Sequence, residues 1–99
     1  MITYEVIATI PDEIADEYDA YMLKKHIGEV VAAGNFTSAT YSKEGSRRRT
    51  IYEVADKQTL DRYLSADAER LRRDFAEHFP NDVAVTREVW DVVARFDAP

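Results

Sequence analysis

His26 is the residue of this chain best suited to acid-base chemistry at neutral pH. An unperturbed imidazole titrates at about pH 6.5, so it can take up or release a proton under physiological conditions. His26 shares an i, i+4 row with Tyr18, Met22 and Val30, and such a row lies on one face of a helix. The apolar neighbours predict that this face packs against a sheet, with His26 in the interior.

Two interpretations of His26 follow from that position. As a general base, it would accept a proton from, or orient, a phenolic or enolic substrate near Tyr4 or Tyr52. As a structural residue, it would join the helix to a strand, with its nitrogens bonded to a tyrosine hydroxyl or a backbone carbonyl. The sequence alone leaves both interpretations open.

Tyrosine is abundant in this chain, with six residues at positions 4, 18, 21, 41, 52 and 63. Hydroxyls gathered around an imidazole inside an apolar shell are typical of a small-molecule site. We therefore predict a pocket between the first helix and the sheet, with Tyr4, Tyr18, Met22 and Tyr52 as ligand-binding residues and His26 as the catalytic candidate. In the alternative, the tyrosine rings rim the core and point their hydroxyls outward.

The elements that would position these side chains follow from the hydrophobic pattern. Residues 2–10 alternate as in a half-buried strand, and Asp12 is a candidate cap for a helix that ends at Gly34-Asn35. Two strands (36–43 and 47–55), a second helical region (56–79, with a break near 65–67) and a long last strand (82–96) complete the chain. The order β-α-β-β-α-β predicts one ferredoxin-like α+β domain over residues 1–99, a four-stranded antiparallel sheet with two helices on one face.

The sheet is predicted to have a second apolar face. The helices cover only one side, yet Ile7, Phe36, Ile51 and Trp90 do not alternate in phase with Tyr4, Val6, Tyr52 and Val89. Exposed apolar patches usually mark interfaces, and pairing of two sheets face to face would bury this one. We therefore predict a homodimer in the form of a dimeric α/β barrel.

Composition excludes several classes of partner. The net charge of −6 disfavours nucleic acid, and the basic run Arg47-Arg48-Arg49 is interpreted as a solvated strand edge. The chain lacks cysteine and any HxxxH or HExxH spacing, so we expect no metal site and no cofactor. The N-terminal segment has no basic leader, and no segment is predicted to span a membrane, so the expected location is the cytoplasm.

Three segments carry a resemblance to a known family. They are ITYEV at the start, HIGEVVAAGNFTSA over the first helix end and LDRYLSADAERLRRDF in the second helical region. Together they resemble a bacterial domain-of-unknown-function family of small dimeric α/β-barrel proteins. The third strand, RRRTIYEVAD, departs from the aromatic and glutamine pattern more usual in that family.

The resemblance implies a fold shared with antibiotic-biosynthesis monooxygenases, polyketide cyclases and muconolactone isomerases, but it implies no particular activity. Two functions stay open. One is a non-catalytic module that binds a small organic molecule. The other is a cofactor-independent monooxygenase, cyclase or isomerase with His26 as acid or base and Tyr18 or Tyr52 as hydrogen-bond donor.

Overall fold

The computed structural model describes residues 1–99 and confirms the predicted β-α-β-β-α-β order. The strands are β1 (Ile2–Thr9), β2 (Ser38–Glu44), β3 (Arg47–Val54) and β4 (Ala84–Asp91). The helices are α1 (Ala15–Tyr21), α2 (Ile27–Gly34), α3 (Lys57–Ala66) and α4 (Ala68–His78), with a 3₁₀ turn at Asp12–Ile14 and a π-helical turn at Met22–His26. None of these helices combines the length and the apolar composition needed to cross a lipid bilayer.

The four strands form one antiparallel sheet in the order β2-β3-β1-β4, as in a ferredoxin-like fold. Tyr4 of β1 lies opposite Tyr52 of β3 on one side and opposite Val89 of β4 on the other. Because side chains alternate between the two faces of a strand, this register puts all three on the face that the helices cover. The rings of Tyr4 and Tyr52 stack there with their centroids 5.9 Å apart.

The first helix is a single rod made of α1, the π-helical turn and α2. Its start differs from the prediction: Pro11 occupies the N-cap position, no side chain caps the 3₁₀ turn, and Asp12 is already inside that turn. Its end is as predicted, because Asn35 takes the left-handed conformation with φ 52°.

The second helical region is two helices. Asp56 caps α3 as predicted, accepting a 2.8 Å hydrogen bond from the Thr59 backbone N–H. The predicted break near residues 65–67 falls at Asp67, which separates α3 from α4. Two apolar clusters fill the space under the helices, one around Tyr4, Tyr52 and Leu60 and the other around Tyr18 and Phe79.

The prediction for Phe36 is wrong. β2 begins only at Ser38, so the strand alternation does not extend to Phe36, which is 6% exposed and belongs to the core. Its ring lies 5.2 Å from that of Tyr52 and 5.3 Å from that of Tyr63. Gly34 makes room for it, since a Cβ at that position would overlap the Phe36 ring.

The outer face of the sheet is consequently less apolar than predicted. Ile7, Ile51 and Trp90 do lie on it, and Trp90 is 57% exposed. Charged and hydroxyl side chains occupy most of the other outward positions, among them Thr3, Glu5, Arg49, Glu53, Thr86 and Glu88. The outer face is therefore a mainly polar surface that also carries three apolar side chains.

The last strand is shorter than predicted, because β4 pairs only with β1 and β1 begins at Ile2. Beyond Asp91 the backbone makes one further hydrogen bond, from the Val92 N–H to the Met1 carbonyl at 3.0 Å. After that bond the chain leaves the sheet, with Val93 and Phe96 fully exposed.

The interpretation of the basic run as a solvated edge is also wrong. β3 is an inner strand, and Arg48 points toward the helices, where it is 4% exposed. Its guanidinium forms a two-pronged ion pair with Asp19 of α1, at 2.7 Å from Nε to Oδ1 and 3.2 Å from Nη2 to Oδ2. Only Arg47 and Arg49 point to solvent.

Candidate functional site

A cavity opens between the first helix, α4 and the helix-facing side of β1 and β4. It encloses about 470 Å³ including its mouth, of which about 40 Å³ is available to the centres of water-sized molecules. Ten of its thirteen lining residues are hydrophobic, and the other three are His26, Arg72 and Arg87. The full lining is Tyr4, Val6, Tyr18, Met22, His26, Val30, Tyr52, Tyr63, Leu71, Arg72, Phe75, Val85 and Arg87.

All five residues predicted for the site lie around this one cavity. Tyr18, Met22 and His26 come from the first helix, and Tyr4 and Tyr52 come from adjacent central strands. The i, i+4 row continues to Val30, which also lines the cavity. The structure thus brings the predicted set together, and its role in binding or catalysis stays a prediction.

His26 closes the π-helical turn, in which the Ile27 N–H bonds to the carbonyl of Met22 five residues earlier. Such turns insert an extra residue into a helix and occur frequently at functional sites. The imidazole packs between the rings of Tyr21, 5.6 Å away, and Phe75, 5.5 Å away. Its Nδ1 is buried and has no hydrogen-bond partner within the protein, so the structural bond that the alternative interpretation required is missing there.

Burial lowers the pKa of His26 below its ordinary value of 6.5. Glu29 and Asp74 act in the opposite direction, but both carboxylates are bonded to Lys25 at 2.7 Å, which limits their effect on the imidazole. The side chain is therefore mainly neutral at pH 7, and a neutral imidazole has one nitrogen free to accept a proton or a hydrogen bond.

Four buried tyrosines supply hydroxyls to the cavity. The Tyr4 hydroxyl accepts a 3.0 Å hydrogen bond from Nη2 of Arg72, whereas those of Tyr18 and Tyr63 bond to no protein group. Burial raises the pKa of Tyr18 to about 12 and that of Tyr63 to about 12, and it also raises the pKa of Tyr52. Tyr18, Tyr52 and Tyr63 therefore keep their protons at neutral pH and can donate to a ligand.

Arg72, Arg87 and Tyr63 also line the cavity, and the sequence did not predict them there. Arg72 lies in the charged run of α4, which the pattern predicts to be solvent-exposed throughout. Arg87 did leave a signal: it has the same parity in β4 as Val85 and Val89 and therefore faces the helices with them. Tyr63 lies one turn after Leu60 on the buried side of α3.

His78 lies outside the cavity. Its ring stacks on that of Tyr21 with centroids 4.4 Å apart, and its Nε2 is 4.0 Å from a Glu17 oxygen. No group of three or more histidine, aspartate or glutamate side chains converges as a metal site would require.

Comparison with known proteins places the fold. A candidate antibiotic biosynthesis monooxygenase from Deinococcus radiodurans superposes with a TM-score of 0.72 at 9% identity, over 100% of this chain and 99% of its own. A dimeric ferredoxin-like protein from an uncultured marine organism gives 0.70 at 12% identity, over 99% and 100%. An antibiotic biosynthesis monooxygenase gives 0.57 at 18% identity, over 95% and 100%. At these identities the likeness concerns the fold alone.

Sequence comparison gives the family. No curated protein matches the chain. The model of a domain of unknown function, DUF4286, matches residues 1–93. That match covers nearly all of the sequence, including every strand and helix described above. The chain belongs to the DUF4286 family.

Proposed function

We propose that this protein binds a small organic molecule in the cavity between the first helix and the sheet. The observation that carries the proposal is the unpaired state of the cavity's polar groups. Nδ1 of His26 is a buried nitrogen with no partner within the protein, and the hydroxyls of Tyr18 and Tyr63, which bond to no protein group either, belong to side chains that line the cavity.

Unpaired polar groups in an apolar interior carry a cost. A buried donor or acceptor without a partner destabilises a protein by about 1–3 kcal/mol. A ligand that gives Nδ1 of His26 a partner would remove this cost, and the apolar walls would contact the rest of the ligand. This combination of apolar walls and a few convergent polar groups is the usual form of a small-molecule site.

The dimensions of the cavity limit the ligand. Its inner part holds only a few water-sized molecules, since one water needs about 10–15 Å³ of such space. A molecule with one aromatic ring, or an aliphatic chain of similar bulk, would fill the inner part and reach the mouth.

A fragment titration tests the proposal. Single-ring aromatic compounds are added to the protein, and binding is followed by the rise in its melting temperature. We expect some of them to bind the natural protein and His78→Leu equally, and His26→Leu at least about tenfold more weakly. His78→Leu is the matched control because His78 does not line the cavity. Equal binding to all three proteins would place the site elsewhere.

The second candidate function is a cofactor-independent enzyme with His26 as acid or base. It is favoured by the lowered pKa of His26 and by its free Nδ1, which could take the proton of a phenolic or enolic substrate. Tyr18 or Tyr52 would donate a hydrogen bond to the oxygen that becomes negative. Two structural neighbours are described as antibiotic biosynthesis monooxygenases, one of them as a candidate.

Turnover separates the two functions. Phenols of one or two rings are incubated with the protein in air, and oxygen uptake and product formation are measured. The enzyme hypothesis expects His26→Asn to retain binding but to lose about a hundredfold or more in rate, the usual contribution of a general base. Binding without turnover across the series would leave the non-catalytic function.

We also propose a homodimer that pairs the outer faces of two sheets. Charge along β3 supports the pairing: on this face Arg47 and Arg49 lie toward one end of the strand, and Glu53 lies toward the other. A twofold arrangement would set the basic end of one subunit on the acidic end of its partner. One structural neighbour is a dimeric ferredoxin-like protein.

Sedimentation equilibrium at micromolar concentration tests the dimer. We expect twice the chain mass of 11.4 kDa, and a shift toward the monomer for Ile51→Glu, which adds a charge at the centre of the proposed interface. Ala55→Glu, beyond the end of β3, adds the same charge elsewhere and serves as control. A single-chain mass for the natural protein would contradict the dimer.

The expected cytoplasmic location belongs to this proposal as well. With no cysteine, the protein has no disulfide that would depend on an oxidising compartment. Fractionation of the producing cells tests the location, and recovery from an extracytoplasmic fraction would contradict it.

A further inference from the structure

The cavity has a charge opposite to that of the protein. The chain carries 19 acidic and 13 basic residues, yet no aspartate or glutamate lines the cavity, and Arg72 and Arg87 do. Of the seven other arginines, five form ion pairs, at positions 47, 48, 49, 70 and 73; Arg72 and Arg87 form none, and neither do the exposed Arg62 and Arg95 outside the cavity. Positive charge at the cavity of an acidic protein indicates that the cavity could bind an anion.

Arg87 is separated from carboxylates by its position in the sheet. On the helix-facing side of β4 its neighbours are Val85 and Val89, and Val6 of β1 lies directly opposite. The guanidinium charge is felt inside the cavity, since it acts to lower the pKa values of His26, Tyr18 and Tyr63. Arg87 therefore extends toward the same space as the unpaired polar groups.

Arg72 approaches from the opposite wall. Its one hydrogen bond within the protein goes to the Tyr4 hydroxyl at 3.0 Å, so most of its five N–H donors are unused. The two acids next to it along α4 are bonded elsewhere: Glu69 to Arg73 at 3.0 Å and Asp74 to Lys25 at 2.7 Å. The guanidinium is thus held at the cavity by a neutral partner.

We propose that the ligand of this cavity is a small monocarboxylic acid, bound as the anion, with its carboxylate between Arg72 and Arg87 and its apolar body against the tyrosine-lined wall. Guanidinium groups bind carboxylates with paired hydrogen bonds, and in this arrangement the phenol hydroxyls and His26 contact the rest of the molecule. The inference rests on the proposed binding function and adds the chemical class of the ligand. A carboxylate is favoured over a phosphate ester because the apolar walls and small volume suit a singly charged, compact head.

Matched probes test the class of ligand. Benzoate, phenylacetate and hexanoate are compared with their uncharged amides and with phenyl phosphate, by calorimetry at low and high salt. We expect each acid to bind at least about tenfold more tightly than its amide, as charge-assisted hydrogen bonds require, with phenyl phosphate weaker than benzoate. Raising the salt concentration should narrow the difference between acid and amide.

Variants connect the preference to the two arginines. Arg72→Gln and Arg87→Gln should each reduce the preference for acid over amide by about tenfold, whereas Arg62→Gln, an exposed arginine on α3 outside the cavity, should leave it unchanged. All three positions are exposed, so the variants are expected to fold, which circular dichroism checks.

The outcomes distinguish this inference from the function on which it rests. Equal binding of acids and amides, or tighter binding of phenyl phosphate, would overturn the carboxylate and leave a small-molecule site in place. A preference for acids that survives in both arginine variants would also overturn it. If none of the acids or amides binds at millimolar concentration, the inference and the proposed function are both wrong.

Discussion

Two polar regions of this protein differ in whether their side chains are paired with one another. At one end, Asp19, Arg48 and Tyr41 satisfy one another: Arg48 donates twice to Asp19, and the Tyr41 hydroxyl donates to Asp19 Oδ1 at 2.6 Å. At the other, the cavity gathers His26, Arg72 and Arg87, none of which has a charged partner there.

The comparison separates polar groups that serve the fold from those that we propose serve a ligand. A buried charge that serves the fold has its partner in the same chain, and the Arg48 hydrogen bond lowers the pKa of Asp19. The cavity groups lack such partners: Arg72 and Arg87 are exposed at the cavity, and Nδ1 of His26 is buried with no partner. We infer that the first region holds β2 and β3 to α1 and that the second is kept for a ligand.

The largest expected effect comes from breaking the satisfied region. Asp19→Ala leaves the nearly buried Arg48 guanidinium without its counter-ion, so we expect the free energy of unfolding to fall by about 3–5 kcal/mol. Asp16→Ala, an exposed acid in the same helix, should cost less than about 1 kcal/mol. Urea denaturation measures both. Equal small losses would mean that Arg48 finds another partner or solvent.

For a substitution in the cavity we expect no loss of stability, or a small gain. His26→Leu removes a buried nitrogen that has no partner, so without ligand the free energy of unfolding should stay constant or rise by about 1 kcal/mol. His26→Asn, which keeps polar atoms there, should not show the gain. A loss of several kcal/mol in His26→Leu would show that the imidazole makes a structural bond after all.

The same substitution, tyrosine to phenylalanine, can be compared in the two regions at Tyr41 and Tyr63. Tyr41→Phe removes a hydrogen bond to a carboxylate and should cost about 1 kcal/mol or somewhat more. Tyr63→Phe removes a hydroxyl that bonds to no protein group, so its cost should stay within about 0.5 kcal/mol. Thermal unfolding of the two variants gives the difference, and a larger loss for Tyr63→Phe would reverse the assignment of the regions.

The smallest expected effect is on the pH dependence of the free energy of unfolding, to which the two regions contribute in different pH ranges. The folded-state pKa of His26 lies below its ordinary 6.5, so the unfolded chain binds this proton first and the His26 contribution to stability declines as the pH falls below 6.5. The pKa of Asp19 is lowered from 3.8, so its contribution is complete above that value and is lost as the pH falls further.

Variants show which residue causes the loss of stability in each of the two pH ranges. The charges that act on His26 belong to Lys25, Glu29, Asp74 and Arg87, and none of them is changed in His26→Leu. In that variant the free energy of unfolding should therefore no longer decline as the pH falls below 6.5, the ordinary pKa of histidine. Asp19→Asn should remove part of the loss of stability at acidic pH. The remaining loss should come from Asp56 and Asp74, whose pKa values are also lowered. A His26→Leu curve parallel to the natural one would contradict the assignment.

The sequence predicted the fold and the inner wall of the cavity because both depend on periodicity. Tyr18, Met22 and His26 share a helical row, and Tyr4 and Tyr52 share a strand face, so local spacing suffices to place them. No pattern in the sequence predicted the π-helical turn. Tyr18, Met22 and His26 nevertheless line the same cavity.

What the sequence did not predict depends on where the chain sits in the sheet and on what covers it. Arg48 looked solvated because three arginines follow a turn, but pairing on both sides makes β3 an inner strand. Phe36 looked outward because the start of β2 lies two residues later than the apolar pattern indicated. Arg72 looked like any other charge of α4, since contact with Tyr4 comes from 68 residues away.

The most direct test of the account is the nitrogen NMR signal of the two histidine rings during a benzoate titration. His26 lines the cavity and His78 does not, so the protein contains its own control. We predict that the His26 ring signals shift and saturate while those of His78 stay nearly constant. Unchanged His26 signals at millimolar benzoate, or parallel shifts of both rings, would contradict a ligand site beneath the first helix.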